Sequence, residues 1–212
     1  LSTRTTEVPF RMVVSPHDSD SVAITFWSLR GRGVFVTRDG GDTWKKLMHD
    51  RQFTAVAADP AVPERLWLGS ADGLYRSDDF GASVVKVADG SVASIAAQGT
   101  RIVTGGSRIG VSDDGGSTWR TADTGGLPLQ VSDLAVSPTR ADTIFAATRS
   151  HAANGLVKGG RGVLRSTDGG RTWDNVSGGL QNLAVTSLAI DAAGRWLFAG
   201  TIGGGVHRLR VH

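Results

Sequence analysis

The stretch Thr37-Arg-Asp39-Gly-Gly41-Asp-Thr43-Trp44 decides the fold, because the chain repeats it. Two further full copies and one degenerate copy occur, at Ser112-Asp-Asp114-Gly-Gly116-Ser-Thr118-Trp119, Ser166-Thr-Asp168-Gly-Gly170-Arg-Thr172-Trp173 and Ser77-Asp-Asp79-Phe-Gly81-Ala-Ser83-Val84. A short pattern that recurs along a chain indicates an array of similar small structural units.

The residue types of this pattern predict a tight hairpin. The Asp carboxylate can accept backbone N–H groups of the turn that follows it, as in Asx turns. The Gly two residues after the Asp tolerates a positive φ, which most residues resist. The Ser or Thr two residues before the Asp can bond the same turn, and the Trp supplies a large apolar anchor. These roles are structural, and none requires a substrate.

An apolar strand opens each repeat unit. The five opening strands are at 10–14, 53–57, 92–96, 131–135 and 185–189, with starts separated by 43, 39, 39 and 54 residues. A second strand follows at 22–26, 66–68, 102–104, 144–147 and 197–199, a third precedes the hairpin, and the Thr-Trp end opens a fourth. Short strands between Gly, Asp and Pro turns, without helical periodicity, indicate an all-β fold. Four strands in ~40 residues is the period of a β-propeller blade, so we predict five four-stranded blades.

The expected organisation is a single propeller domain over residues 1–212, with units starting near 10, 53, 92, 131 and 185. The last unit stops at its third strand, within 205–212, and so lacks a fourth. We predict that residues 1–9, rich in β-branched side chains, pair beside 206–211 and close the ring, which would remove an exposed sheet edge. The alternative is a fragment of a larger propeller.

Composition excludes several classes of function. The chain has 29 Gly, no Cys and a formal charge of +3, and its Lys and Arg form no run typical of a nucleic-acid-binding arm. No apolar stretch approaches the ~20 residues of a membrane span. His49, His151 and His207 fall in different units without metal-ligand spacing. We therefore predict no cofactor, no metal, no nucleic acid and no membrane span, and we expect a monomer.

The repeated pattern resembles the Asp-box, or bacterial neuraminidase repeat. This repeat is shared by sialidases, xyloglucanase-like glycosidases, sortilin-type receptors and photosystem II assembly factors. The resemblance implies a β-propeller in an exported or luminal compartment, with the hairpins on the outer rim, away from the binding face. It therefore implies structural roles for Asp39, Gly41, Trp44, Asp79, Gly81, Asp114, Gly116, Trp119, Asp168, Gly170 and Trp173.

A ligand would be expected at the opposite end of the blades, where the loops between second and third strands meet the blade-to-blade connections. The ligand-binding residues predicted there are Trp27, Arg30, Arg32, Arg51, Arg108, His151, Lys158 and Arg161. Arginine favours an anionic or polar ligand such as a carboxylated sugar or an acidic protein segment.

Two features of that end depart from the repeat. Trp27 aligns with Ser70, Gly106, Thr148 and Thr201, so one unit has a bulky residue where four are small. The ring could stack on a sugar or anchor a partner, or it could fill a gap under the insertion at 149–161. The Gly content of that insertion suggests a mobile loop, and long loops on rigid scaffolds often carry function.

Catalysis is not predicted. The sialidase resemblance implies a Tyr nucleophile activated by a Glu, yet Tyr75 is the single Tyr, and neither Glu7 nor Glu64 is placed to activate it. Xyloglucanase-like enzymes place their acidic pair on two facing propellers. Asp50 and Asp72 are the only carboxylate pair we nominate for glycoside hydrolysis. We predict a non-catalytic scaffold that binds a protein segment or a glycan. The alternatives are a sialidase-like or xyloglucanase-like glycoside hydrolase, a fragment of one, or a bare propeller module of a larger exported protein.

Overall fold

The computed structural model describes residues 8–27, 32–48, 51–125, 129–153, 156–158 and 160–211. All regular secondary structure in these ranges is β-strand. The chain divides into two compact units, Leu1–Thr100 and Arg101–His212, which are described separately. No helix in the described ranges has the length and apolar character that crossing a membrane would need.

Each repeat unit forms one antiparallel sheet, and its strands lie side by side in chain order, with β15 and β16 of the fourth unit set apart. The first sheet contains β1 (Val8–Val14), β2 (Val22–Trp27), β3 (Val34–Thr37) and β4 (Lys45–Leu47). The second contains β5 (Ala55–Ala58), β6 (Leu66–Gly69), β7 (Gly73–Ser77) and β8 (Val85–Asp89). The third contains β9 (Val92–Gln98), β10 (Arg101–Gly106), β11 (Ile109–Ser112) and β12 (Arg120–Thr121).

The remaining strands form a four-stranded sheet, a three-stranded sheet and a separate two-stranded hairpin. The fourth sheet contains β13 (Val131–Val136), β14 (Ile144–Thr148), β17 (Gly162–Ser166) and β18 (Asp174–Asn175). Between β14 and β17, β15 (His151–Ala153) and β16 (Leu156–Lys158) pair with each other. The fifth sheet contains β19 (Val185–Ile190), β20 (Trp196–Thr201) and β21 (Gly205–Arg210). The prediction of an all-β fold with five repeated sheets is confirmed, and the 149–161 insertion contains a β-hairpin.

The N-terminal prediction is corrected at one point. Val8 and Pro9, expected in the closing strand, belong to the first sheet, where they pair with Trp27 and Phe26. Residues 1–7 lie outside the described residues, so ring closure by them stays a prediction. In the fifth sheet, β21 pairs with β20 and is the last of three strands.

Strand pairing also corrects the alignment of the first unit by one residue. The Ser or Thr that opens each hairpin pairs with the start of the second strand, Thr37 with Val22 and Ser77 with Leu66. Val22 is therefore equivalent to Leu66, Ile102 and Ile144, which pair with the opening Ser of their own hairpins. Three residues further along each strand, Thr25 and not Phe26 is equivalent to Gly69, Gly105 and Ala147. Phe26, not Trp27, then occupies the place of Ser70, Gly106 and Thr148. The bulky departure is therefore Phe26, which is buried and packs on Phe35 with ring centroids 4.6 Å apart.

The core consists of sheets packed face to face. In each second strand we count from the residue that pairs with the last residue of the first strand, which is Val22, Leu66, Ile144 and Leu197 in sheets one, two, four and five. The front face of a sheet carries the first and third residues counted in this way, and the back face carries the second. In the first unit, the back face of sheet one (Ala23, Val36) packs on the front face of sheet two (Leu66, Leu68). In the second unit, the back face of sheet four (Phe145) packs in the same sense on the front face of sheet five.

Candidate functional site

In the four repeated hairpins, the central Asp carboxylate and the opening Ser or Thr hydroxyl are bonded within the hairpin. The hairpins span residues 37–44, 77–84, 112–119 and 166–173. In the first, the Thr37 hydroxyl donates to Asp39 Oδ1 at 2.6 Å, and the Thr43 N–H donates to the same oxygen at 2.9 Å. Gly41 N–H donates to Thr37 Oγ1 at 3.0 Å, and the Trp44 indole N–H to the Gly41 carbonyl at 2.9 Å. The other hairpins repeat the carboxylate and hydroxyl bonds, at Asp79, Asp114 and Asp168.

These bonds keep the hairpin carboxylates ionised. The Thr37 hydroxyl lowers the pKa of Asp39 well below its usual range. The Thr118 hydroxyl lowers the pKa of Asp114 to about 2, and the Thr172 hydroxyl lowers the pKa of Asp168 further. In Asp79 burial alone would raise the pKa, but the hydrogen bonds from Ser83 and Ser77 outweigh it and lower the pKa. A carboxylate held as an acceptor in this way is a poor proton donor.

At the other end of the second sheet, the structure brings together Arg51, Ser70, Asp72, Tyr75 and Lys86, which we call the Asp72 cluster. Arg51 precedes β5, and Asp72 lies in the turn between β6 and β7. Arg51 Nη1 donates to Asp72 Oδ2 at 3.1 Å, and Tyr75 Oη donates to the same oxygen at 2.7 Å. Ser70 Oγ donates to Asp72 Oδ1 at 2.5 Å, and Lys86 Nζ lies 3.6 Å from Oδ2. The β6–β7 turn and the connection before β5 therefore lie next to each other in this unit, as expected from the sequence.

Tyr75 is anchored within this cluster. Its ring is buried, packs edge-on against Phe53 with centroids 5.7 Å apart, and has the Arg51 guanidinium 4.6 Å above it. Burial raises the pKa of Tyr75, and the hydrogen bond to Asp72 raises it further. A nucleophilic Tyr would need the opposite shift and access to substrate. The hydroxyl of Tyr75 instead positions Asp72.

The charges of the Asp72 cluster compensate one another. The Ser70 and Tyr75 hydroxyls, together with the positive charges of Lys86 and Arg51, hold the pKa of Asp72 well below its usual range. Lys86 also pairs with Asp89 at 2.7 Å. A glycosidase acid needs a raised pKa, so Asp72 does not fit that role. Asp50, its nominated catalytic partner, lies outside the described residues.

The other predicted ligand-binding residues are placed as follows. Gly33 N–H donates to the Arg51 carbonyl at 2.7 Å, which brings the exposed Arg32 next to the Arg51 segment. In the second unit, Arg108 is exposed in the β10–β11 turn, and the Arg161 carbonyl accepts a bond from Asn175 Nδ2 at 2.7 Å. The backbones of His151 and Lys158 pair across the small hairpin, and that of Trp27 ends β2. The Trp27, His151 and Lys158 side chains and the whole of Arg30 lie outside the described residues.

Sequence reasoning missed a groove of about 360 Å³ between the first two hairpins. Its walls include Trp44 and Phe80, and its rim carries Arg38, Lys45 and Asp79. Arg38 bonds Glu64 Oε1 at 3.0 Å, so this rim cation is already paired. The signal in the sequence was Phe80, which stands where the full copies of the hairpin have Gly.

Metal ligation has no support in the described ranges, where no group of three His, Cys, Asp or Glu side chains is arranged to hold an ion. No protein-family profile matches the chain. A xyloglucanase of Hypocrea jecorina (strain QM6a) is 30% identical over 170 residues, which are 77% of this chain and 19% of that protein. The chain thus spans about a fifth of the length of the curated relative it matches.

Solved structures with similar folds include enzymes and a peptide-binding protein. An ancestral GH74 enzyme superposes with a TM-score of 0.75 at 21% identity, over 91% of this chain and 27% of that one. YCF48 from Cyanidioschyzon merolae gives 0.71 at 17% identity, over 100% of this chain and 69% of that one. YCF48 bound to D1 peptide gives 0.68 at 18% identity, over 98% and 65%. The chain has the β-propeller fold. At these identities the structures carry the fold alone.

Proposed function

We propose that this chain is a non-catalytic β-propeller scaffold that binds a protein segment or a glycan through the loop ends of its sheets. The observation that carries the proposal is the bonding of Asp72. Its carboxylate accepts from Ser70, Tyr75 and Arg51 and has a lowered pKa, so the nominated catalytic residue is built into the turn. Such a network gives a rigid surface for recognition and no proton donor.

The hairpins support the same proposal. We assign them as Asp-boxes with structural roles, because each carboxylate is bonded to its own turn, as at Asp39 and Asp114. Recognition would then fall to the opposite, loop ends, where the exposed Arg32 and Arg108 are available to carboxylates. The resemblance to Asp-box families supports an exported location as part of this proposal.

Array binding tests the proposal. The intact chain is applied to arrays of acidic peptides and of glycans that include sialylated and uronic-acid sugars. We expect binding that Arg32→Ala and Trp27→Ala, both at the loop end of the first sheet, weaken at least tenfold. Arg171→Ala, which removes an exposed arginine from a hairpin, is the matched control and should bind as the wild type does. Equal loss in Arg171→Ala, or binding unaffected by both loop variants, would overturn the assignment of the loop end.

A glycoside hydrolase is the second candidate, favoured by the 30% identity to the Hypocrea jecorina xyloglucanase. Its test is release of reducing ends from xyloglucan and of sialic acid from sialyllactose by the purified chain. Activity that Asp72→Asn abolishes would replace the scaffold proposal. We expect no release by either the wild type or the variant.

A further inference from the structure

Lys45 in the first unit and Arg120 in the second are equivalent residues. Each directly follows the Trp of a hairpin, and each pairs with the residue before the opening Ser or Thr of that hairpin, Val36 or Val111. In each unit a further hairpin belongs to the next sheet, the second hairpin in the first unit and the fourth hairpin in the second. The space between neighbouring hairpins can therefore be compared between the two units.

In the second unit, the chain itself occupies this space. Arg120 Nη2 donates to the Gly169 carbonyl at 2.5 Å, and Arg120 Nη1 donates to the Gly170 carbonyl at 3.1 Å. The Asp123 N–H donates to the Arg171 carbonyl at 3.0 Å. Three consecutive carbonyls of the fourth hairpin are thus satisfied by donors that follow the third hairpin in the chain.

In the first unit, the equivalent carbonyls lack such donors. They belong to Phe80, Gly81 and Ala82 of the second hairpin, and no described residue donates a hydrogen bond to any of them. Lys45 is exposed and forms no ion pair within the described ranges. The space that Arg120 and Asp123 fill in the second unit is therefore the groove of about 360 Å³ in the first.

The course of the main chain leaves this groove open. Met48 lies three residues after Lys45 and takes the place of Asp123, but its φ of 53° is left-handed and turns the chain. Beyond the turn, the Arg51 carbonyl accepts a hydrogen bond from the Gly33 N–H at 2.7 Å. The chain thus folds back onto the first sheet and does not continue along the second hairpin.

The groove has one charge that lacks a partner in the described part of the chain. Of the charged residues that line it, Arg38 bonds Glu64, and Asp79 accepts from the hydroxyls of its own hairpin. The remaining charge is the Lys45 cation, which lies beside the half-buried Trp44 ring. A complementary ligand needs a carboxylate, an apolar group and N–H donors for the free carbonyls, and an extended peptide can supply all of them.

We propose that this groove binds a short extended segment of another protein, in which an acidic side chain accompanies an apolar one. The carboxylate pairs with Lys45, the apolar side chain packs against Trp44 and Phe80, and a backbone N–H donates to the Ala82 carbonyl. The second unit favours a peptide over a glycan, because there the equivalent place is filled by polypeptide. This site lies at the hairpin end of the first two sheets, so it is independent of the loop-end site proposed above.

Binding of capped hexapeptides, measured on an array and then by calorimetry, tests this. The peptides carry one leucine and one aspartate at every relative position among threonines and serines, and a matched set has asparagine in place of aspartate. We expect some aspartate peptides to bind and their asparagine partners to bind about tenfold more weakly. Lys45→Gln should cause a similar loss. Ala82→Asp, which copies Asp42 of the first hairpin onto the groove wall, should also weaken binding because its carboxylate competes for Lys45.

The matched control is Lys46→Gln, because successive side chains of a strand point to opposite faces and Lys46 lies over the Phe35 ring, 5.3 Å from its centroid. It should bind as the wild type does, and so should Arg32→Ala at the loop end. Circular dichroism checks that each variant keeps the wild-type spectrum.

Absence of peptide binding by the wild type overturns the inference, as does equal binding of the asparagine peptides or an equal loss in Lys46→Gln. Loss in Arg32→Ala but not in Lys45→Gln would overturn it in favour of the loop-end site. Glycan binding that Lys45→Gln abolishes, without peptide binding, would make the occupant a glycan and overturn the peptide assignment.

Discussion

The Arg38 guanidinium lies over the Phe80 ring, with its Cζ 5.0 Å from the ring centroid. Arg38 belongs to the first hairpin and Phe80 to the second, and Arg38 is held in place by Glu64 at 3.0 Å. The second hairpin lacks the Trp of the full copies and has Val84 in its place. Phe80 is 2% exposed and belongs to the core between sheets one and two. Phe80 is therefore the aromatic residue of the second hairpin, and it packs in the core between the first two sheets.

Phe80 makes this contact from a strained backbone. Its φ is 54°, where the first and third hairpins have Gly40 and Gly115 at 70° and 68°. Phe80→Ala should destabilise the fold by about 3–5 kcal/mol through the lost ring. Phe80→Gly loses the same ring but relieves a left-handed conformation that costs about 1–2 kcal/mol, so it should be the milder variant. Urea unfolding of both variants measures the difference.

As a control, the same two substitutions at Val85 should show the opposite order of stability. At Val85, an exposed strand residue, Gly should be worse than Ala, because Gly weakens a strand and has no strained φ to relieve there. If Phe80→Gly were less stable than Phe80→Ala, the positive φ would not be costing stability.

The hairpins were predictable from the sequence because their bonds are local. Each joins groups two to four residues apart, as from Thr37 and Thr43 to Asp39, so the pattern of residue types carries the geometry. The strands were predictable for a similar reason, since alternating apolar residues between turns suffice. The alignment of the first unit with the other units was not predictable from the sequence. The apolar residues of β2 fit two alignments that differ by one residue, and the pairing of Val22 with Thr37 decides between them.

The Asp72 cluster shows how much of the candidate site could be predicted from the sequence. The order of the strands predicts that Arg51 and Asp72 lie at the same end of the second sheet, and this part of the site was predictable. The role of Asp72 was not, because it depends on contacts from Arg51 and Tyr75, which lie 21 residues before it and three after it in the sequence.

The bonding of Asp114 in the third hairpin should make the free energy of unfolding fall at acid pH. The pKa of Asp114 falls from its ordinary value of 3.8 to about 2 in the folded chain. A folded pKa below the unfolded one means that the stabilisation is complete above about pH 4 and is lost as the pH falls towards about 2. Thr118→Val removes the hydroxyl that lowers this pKa most, so it should reduce the loss of stability between pH 4 and 2.

Urea midpoints measured from pH 6 to pH 2 give that dependence. Thr121→Val, the same change at an exposed residue of β12, is the control and should follow the wild type. Parallel curves for wild type and Thr118→Val would contradict the assignment of the bond to the ionised carboxylate.

Tyr75 should titrate above its ordinary pKa. It is the single Tyr of the chain, so absorbance at alkaline pH reports it alone. Burial and the bond to Asp72 both raise its pKa above 10.0. The neutral hydroxyl therefore stabilises the fold fully below pH ~10, and this contribution is lost as the pH rises through the folded pKa. Asp72→Asn should move the midpoint towards 10, because the carboxylate acceptor is gone.

The reference state is the chain in concentrated guanidinium, where the same absorbance should titrate with the ordinary pKa. Tyr75→Phe should abolish the signal. A folded-state midpoint at or below the unfolded one would mean that the hydroxyl is neither buried nor bonded to Asp72.

Thr25→Val should stabilise the protein. Thr25 takes the place that Gly69, Gly105 and Ala147 occupy in other sheets, yet it is 0% exposed. Its Oγ1 is buried and finds no partner among the described residues. An unsatisfied buried hydroxyl costs about 1–3 kcal/mol, and Val replaces it with a methyl of similar shape. Thr25→Ala, which leaves a small void, is the matched control and should gain less. Denaturation midpoints of the three proteins give the order, and a Val variant less stable than wild type would mean that the hydroxyl is bonded in solution.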